Sequence, residues 1–268
     1  MIKVSVVIPD YKDPLLQKTI DNLLEQSELG DQLEVIPVLD GVWPVIPLKN
    51  DDRVRVVHLG KNRGMRGAIN AGCDVARGEY LMRTDEHATF GKGYDRILTS
   101  QTEDNWIVTP RRYFLDPVKW EVMNLPPIDY AKLKIVRIGD DKEGWVQKFS
   151  GVDWDRPERK DIMIDETMAM QGSCWFMKHS WWNKVIGQLQ SEGYDTHYQD
   201  SHEMVFKTWK AGGKLMVNKN TWHAHKHRSF PRTHGYGGPK AREGFAYALK
   251  VWRDYFEKEI WPKWFPPK

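Results

Sequence analysis

The feature that most constrains the fold is a series of short β-branched runs, each ending in a polar turn and separated by helical patterns. Val4 to Ile8 is a short continuous apolar run that suits a buried parallel strand, and it ends in Pro9-Asp10-Tyr11. Asp13 and Pro14 then open a helical pattern with Leu15, Leu16, Ile20, Leu23 and Leu24 on one face. A second strand, Leu33 to Leu39, ends in Asp40-Gly41. A third, Val54 to Leu59, leads through a glycine-rich stretch into a helix from Gly67 to Val75. A fourth, Glu79 to Met82, ends at Arg83-Thr84-Asp85-Glu86-His87. This β-α-β-β-α-β order specifies an open, mixed but mainly parallel α/β sheet flanked by helices. Ligands of such sheets lie beyond the carboxyl ends of the strands, so the three polar endings converge on one side.

The second half is less regular. From Phe114 to Asp165 the periodicity weakens between Pro126-Pro127, Gly139-Asp140-Asp141 and Arg156-Pro157, which reads as an elaborated hairpin or loop insertion. Ordered structure resumes at Met168 to Phe176, followed by a helix near Trp181 to Gln190. A second helix runs from about Ser201 to Ala211, with Gly212-Gly213 as its stop. A short strand, Leu215 to Val217, leads to a His-rich segment, and Ala241 to Ile260 forms a closing amphipathic helix. With 268 residues the chain can bury a full core as one domain. It divides into a first half (1–113), an insertion (114–165), a second half that includes the His-rich segment (166–240), and a C-terminal helix and tail (241–268).

Lys plus Arg exceed Asp plus Glu by only three, so the charge balance neither demands nor excludes a polyanionic partner. The 13 Trp residues crowd into Trp175 to Trp182 and Trp252 to Trp264; aromatic rings give large burial and also stack on sugars and bases. Cys73 and Cys174, the only cysteines, lie in apolar surroundings, which points to a reducing, cytoplasmic setting. The N-terminal apolar run is too short for a signal peptide or membrane span.

Asp85 and His87 stand two apart just past a strand, and in extended backbone such residues point to the same side. A carboxylate and an imidazole can then reach one divalent ion, with Glu86 directed away. The pair fits Mn²⁺ or Zn²⁺ better than Ca²⁺. A third ligand can come from His223-Ala224-His225-Lys226-His227. Such an ion neutralises charge that builds on a leaving phosphate. Arg228, Arg232 and His234 follow the His cluster and can close over a diphosphate, with Gly235-Tyr236-Gly237-Gly238 as a hinge-like stretch.

These residues carry a resemblance. Val4-Ser5-Val6-Val7-Ile8-Pro9-Asp10-Tyr11, Leu39-Asp40-Gly41, Asn62-Arg63-Gly64, Ala68-Ile69-Asn70-Ala71-Gly72 and Ala76-Arg77-Gly78-Glu79-Tyr80-Leu81 resemble the family 2-like glycosyltransferases of GT-A fold. Asp-x-His, where most of that superfamily has Asp-x-Asp, resembles the polypeptide N-acetylgalactosaminyltransferase branch. Gln171-Gly172-Ser173-Cys174-Trp175-Phe176 is similar to that branch's Gly-Gly-Leu-Phe segment. Gly193-Tyr194-Asp195, Asp200, Glu203 and Trp209 to Gly213 follow its order, as do His225-Lys226-His227-Arg228 and Val251 to Phe256.

The resemblance implies a metal-dependent transfer of sugar from a nucleoside diphosphate, in first place UDP, to a hydroxyl acceptor. It implies that Asp85, His87 and His225 hold Mn²⁺ (or Mg²⁺). Pro9, Asp10 or Tyr11 with Asp40 would hold uracil and ribose; Asn62 and Gly64, with Arg66, would shape the nucleotide pocket. Asp200 and Gly172 would contact the donor sugar, and Arg228 the diphosphate. The branch has a longer carboxylate at the Asp200 position. Pro231 and Thr233 stand where it has diphosphate contacts, which Arg232 and His234 can replace.

Two roles compete for Asp200: general base in an inverting enzyme, or donor-sugar ligand in a retaining one, the role the resemblance favours. An N-cap of the following helix is compatible with both, and Glu203 then completes a capping box. The acceptor remains open between a glycan, a protein hydroxyl and a hydroxylated DNA base, the last because the segment from Lys207 to Arg242 is rich in Lys, Arg and His. The competing readings are a nucleotidyltransferase and a non-catalytic protein that binds nucleic acid or glycan. The Pro9-to-Asp13 loop is not the Gly-rich basic loop of the former, and the latter leaves Asp-x-His unexplained.

Overall fold

The computed structural model describes residues 1–140, 144–194, 199–231 and 239–267. Its first half alternates strands and helices: β1 (Val4–Asp10), α1 (Leu16–Gln26), β2 (Leu33–Asp40), β3 (Val57–Leu59), α2 (Gly64–Val75), β4 (Tyr80–Thr84), β5 (Ala88–Phe90) and α3 (Tyr94–Ser100). Then come β6 (Trp106–Asp116), β7 (Glu121–Val122), β8 (Ala131–Asp140), β9 (Gly144–Asp153), β10 (Ile164–Glu166) and β11 (Cys174–Lys178). The chain closes with α4 (His179–Trp181), α5 (Asp200–Lys210), β12 (Lys214–Lys226), α6 (Pro239–Tyr255) and α7 (Trp261–Trp264).

The main sheet has the order β10-β12-β6-β11-β4-β1-β2-β3. Strands β1, β2, β3, β4, β6 and β12 run one way, and β10 and β11 run against them. This is the expected mainly parallel α/β sheet. The period-two alternation of β1 explains the layering: Val4, Val6 and Ile8 pack on the α1 and α3 side, while Val7 faces α2. On that face a Cβ at Gly72 would lie 2.3 Å from a Val7 methyl carbon, so the glycine lets α2 sit close on the sheet.

Several expected elements shift. The third strand shortens to Val57–Leu59, with Val54 reduced to an isolated bridge to Val35. The helix expected from Trp181 to Gln190 is one α-turn followed by a π-turn, Trp182–Ile186, ended by Gly187 at φ +63°. The stretch of weak periodicity contains a regular antiparallel hairpin, β8–β9, whose pairing runs from Ala131↔Asp153 to Asp140↔Gly144. Its faces alternate poorly in sequence because much of β9 is exposed.

The largest revision concerns the His-rich segment. It is not a continuation beyond a short strand; it is the end of a long strand, β12. Parallel pairing with β6 and antiparallel pairing with β5 carry the ladder through His223 and His225. Most of the Trp residues are structural. Trp175 stacks on Trp182, and Trp154, Trp209 and Trp264 meet edge to face, fastening the C-terminal turns to the body.

Candidate active site

Three ligand-type side chains meet at the carboxyl ends of the strands. Asp85 and His87 lie in the turn between β4 and β5, and His225 enters from β12, opposite Ala88 in the register with β5. His225 Nε2 is 2.8 Å from Asp85 Oδ2 and 3.1 Å from His87 Nε2. At metal–ligand bonds of about 2.1 Å and right angles, adjacent ligand atoms stand roughly 3.0 Å apart. Both contacts of His225 therefore have the spacing of neighbouring ligands in an octahedral site, and all three ligand atoms lie within 4.8 Å of one another. His223 is not part of it: the ring stacks on Phe90, with Nε2 at 3.3 Å from Ser173 Oγ. His227 turns to Ser229 and packs edge-on to Phe114.

The electrostatics suit a cation. Burial pushes the His225 imidazole down to about 4 against the pull of Asp85, so the ring is neutral and its lone pair is available. Burial raises the Asp85 carboxyl, but Arg83, His225 and His87 together hold it well below the usual carboxylate range. For His87 burial is outweighed by the Asp13 hydrogen bond and by the carboxylates of Glu86, Asp85 and Asp13, so its affinity for a proton rises. Asp13 Oδ2 lies 3.1 Å from His87 Nδ1. That contact fixes the proton on Nδ1 and aims Nε2 at the site.

Arg83 was not anticipated. It lies two residues before Asp85 on β4, is 2% exposed, and approaches Asp85 Oδ1 at 2.5 Å. It also donates to the Gly172 carbonyl and contacts Met65 Sδ at 3.0 Å. An arginine inside an otherwise apolar strand, two positions from an aspartate, is the sequence signal that would have found it.

Asp85 and His225 open into a cavity of about 470 Å³ that is also lined by Gly172, Asp200 and Arg228. Asp200 begins α5, but the N-cap is Gln199, in left-handed conformation and without a side-chain cap. The capping-box reading of Glu203 is corrected as well. Glu203 pairs with the guanidinium of Arg66 and, at 2.7 Å, with Lys207. Arg66, expected at the nucleotide, is fully buried in that pair beneath Tyr194, because a buried carboxylate on α5 needs a cation from α2.

A narrow cleft of about 20 Å³ adjoins the cavity across Met65, and is lined by Pro9, Asp10, Tyr11, Asp40, Ala68 and Glu86. Asp10 Oδ2 is buried there with no hydrogen-bond partner among the described residues, and burial pushes its carboxyl up to about 6. Asn62 Nδ2 donates to Asp40 Oδ2 at 2.9 Å, and the Arg63 amide donates to Oδ1 at 2.6 Å, which holds the loop entering α2. Gly41 (φ +73°) permits this approach, since a Cβ there would lie 2.2 Å from the Asn62 nitrogen. Gly64 begins α2 at φ +72°. Glu86, expected to be directed away from the ion, lines this cleft, and its carboxyl comes within 4.8 Å of ligand atoms of Asp13 and His87. Burial pushes it up to about 7. Arg232, His234 and the Gly235-to-Gly238 hinge lie outside the described residues.

Comparison with known proteins gives a consistent picture. The sequence profile of glycosyl transferase family 2 matches residues 5–178. Polypeptide N-acetylgalactosaminyltransferase 4 of Mus musculus is 24% identical over 274 residues, covering 96% of this chain and 45% of the relative. The crystal structure of GalNAc-T7 with UDP, GalNAc and Mn²⁺ superposes with a TM-score of 0.69 at 16% identity, covering 97% of this chain and 50% of that one. The chain thus spans about half the length of the relatives it matches. Among the described residues no helix is long and apolar enough to cross a membrane.

Proposed function

The chain belongs to glycosyl transferase family 2 and is a glycosyltransferase, and from that premise we propose that it transfers a sugar from a UDP-linked donor to a hydroxyl acceptor with a divalent cation, Mn²⁺ or Mg²⁺. The observation that carries the reading is the Asp85–His87–His225 trio, two members of which, Asp85 and His225, open into the cavity that holds Gly172, Asp200 and Arg228. The relative named above was crystallised with UDP and Mn²⁺, and the donor set here, one carboxylate and two imidazoles within 4.8 Å of one another, suits such an ion. A bound cation would neutralise the negative charge that develops on the departing diphosphate.

The chain's own residues supply the remainder. Asp13 and Arg83 hold His87 and Asp85 in place from behind. Arg228, at the cavity wall, adds positive charge toward the diphosphate. The orphan acceptor Asp10 Oδ2, in the cleft that Tyr11 and Asp40 also line, can take an N–H or O–H of the nucleoside. Asp200 orients hydroxyls of the donor sugar, and the reaction retains configuration. Arg232 and His234 complete the diphosphate grip. The acceptor is a hydroxyl of a glycan, a protein or a modified DNA base, and the two buried free thiols fit a reducing, cytoplasmic setting.

A donor screen tests the reading: purified protein with UDP-, GDP- and TDP-sugars, in Mn²⁺ or EDTA, following free nucleotide. Mn²⁺-dependent release from a UDP-sugar is expected. Release that is indifferent to EDTA removes the cation from the proposal, and neither release nor a thermal shift with any donor removes the donor class.

A further inference from the structure

Strand β9 is clamped against the start of α5. Gln199 Nε2 donates to the Phe149 carbonyl at 3.1 Å, and the Gly151 amide donates to His202 Nε2 at 3.1 Å. The clamp fixes Lys148, the residue before Phe149, in the wall of the same cavity as Asp200. Lys148 is half-buried, and its ammonium has no carboxylate or hydrogen-bond partner among the described residues. The ammonium lies over the Phe245 ring, 5.2 Å from its centroid. Burial alone lowers its affinity for a proton, with no nearby carboxylate to restore it. Several buried or half-buried cations lie against an acid: Arg83 on Asp85, Arg66 on Glu203, Arg111 on Asp129, Arg159 on Asp165. A partly desolvated ammonium left facing an active-site cavity is costly unless a ligand brings the anion.

The surroundings restrict that ligand. His202 accepts through Nε2, so its proton is on Nδ1, which is buried and has no partner among the described residues. Burial, Lys148 and Arg66 push this ring down to about 3, so it contributes no charge of its own. Gln199 Oε1 is likewise buried and unsatisfied among the described residues. Ser150, Asp153 and Asp200 complete the wall. One ammonium beside the neutral groups of His202, Gln199 and Ser150, with the carboxylates of Asp153 and Asp200 to take hydroxyls, matches a polyhydroxylated ring bearing a single negative group. A phosphate would be matched better by a guanidinium fork, which Arg228 offers in the same cavity.

We propose that Lys148 is a specificity residue for a carboxylate-bearing saccharide, a uronic acid carried either by the donor or by the acceptor. The inference rests on the glycosyltransferase reading of this cavity.

The test is calorimetric binding, with Mn²⁺ present, of two pairs that differ only in the carboxylate. UDP-glucuronate against UDP-glucose reports the donor; methyl glucuronide against methyl glucoside, with UDP present, reports the acceptor. Wild type should favour the charged member of one pair by at least tenfold, K148Q should abolish that preference, and K148R should restore most of it. The pair that responds names the source of the carboxylate. Equal affinity within both pairs, or no binding by any member, overturns the proposal. So does a K148Q variant in which UDP alone weakens by the same factor as UDP-glucuronate, since Lys148 would then serve the diphosphate. UDP release is followed in parallel. A Lys148-dependent charge preference without release from any donor would defeat the transfer chemistry and leave the saccharide site standing.

Discussion

Asp13 Oδ2 lies 3.1 Å from His87 Nδ1, and both side chains are buried. The pair joins the loop after β1 to the turn after β4, so the geometry of the trio depends on a residue outside it. Removing such a partner ordinarily costs 10- to 100-fold in metal affinity. Asp13→Asn should weaken Mn²⁺ binding by about that factor, measured by calorimetry, without loss of the folded state. An affinity within twofold of wild type would show that Asp13 is only part of the loop's local hydrogen bonding to Leu15.

The Arg66–Glu203 pair, expected to be respectively a nucleotide contact and a helix cap, makes a stability prediction instead. Both side chains are essentially inaccessible. Truncating one partner leaves the other charge buried and uncompensated, which costs about 3–5 kcal/mol. Glu203→Ala should lower Tm by roughly 10 °C. Pairing Arg66→Met with Glu203→Leu should recover most of it, because the penalty belongs to the orphaned charge. If the double variant is as unstable as the single, the packing of Glu203 against Lys207 matters more than the charge balance.

His223 gives the acid limb. Burial pushes its imidazole down to about 3 from an ordinary 6.5. Between these values the unfolded chain binds a proton that the folded chain refuses, so this contribution is full above pH 6.5 and is lost as the pH falls toward 3. At pH 4 the loss amounts to about 3 kcal/mol. His223→Phe should flatten the fall in Tm between pH 7 and pH 4.5, whatever its Tm at neutrality. An unchanged slope would assign acid sensitivity to other groups.

The sheet was legible because strand signals are local. A run such as Val4 to Ile8, closed by Pro9-Asp10, carries its own meaning, and the order of such runs dictates which strand ends share a side. Asp85, His87 and His225 could be grouped from spacing and resemblance. What joins them, the β12–β5 register, is a pairing between distant segments that no local pattern encodes. Arg66 and Glu203 were misread for the same reason: each was judged by its neighbours in sequence, whereas burial across α2 and α5 decides what each must touch. Lys148 was invisible because a lysine on an exposed hairpin is ordinary until the fold turns it into a cavity.

Asp200 is the residue whose two readings separate most cleanly. It begins α5 and lines the cavity beside Gly172, where a Cβ would sit 3.9 Å from its Oδ2. If the carboxylate orients the donor sugar, Asp200→Asn should weaken a UDP-sugar about tenfold more than UDP, because only the former presents the hydroxyls it holds. If it removes the acceptor's proton, the same variant should bind donor as wild type does and lose a factor of about 10²–10⁴ in kcat. Titrating UDP and the productive UDP-sugar against both proteins, with single-turnover rates at saturating donor, separates the two. A selective loss of UDP-sugar affinity supports the donor-sugar role, and with it the retaining reading. A pure loss of kcat turns the enzyme into an inverting one, whose product stereochemistry an NMR spectrum of the first turnovers would then show.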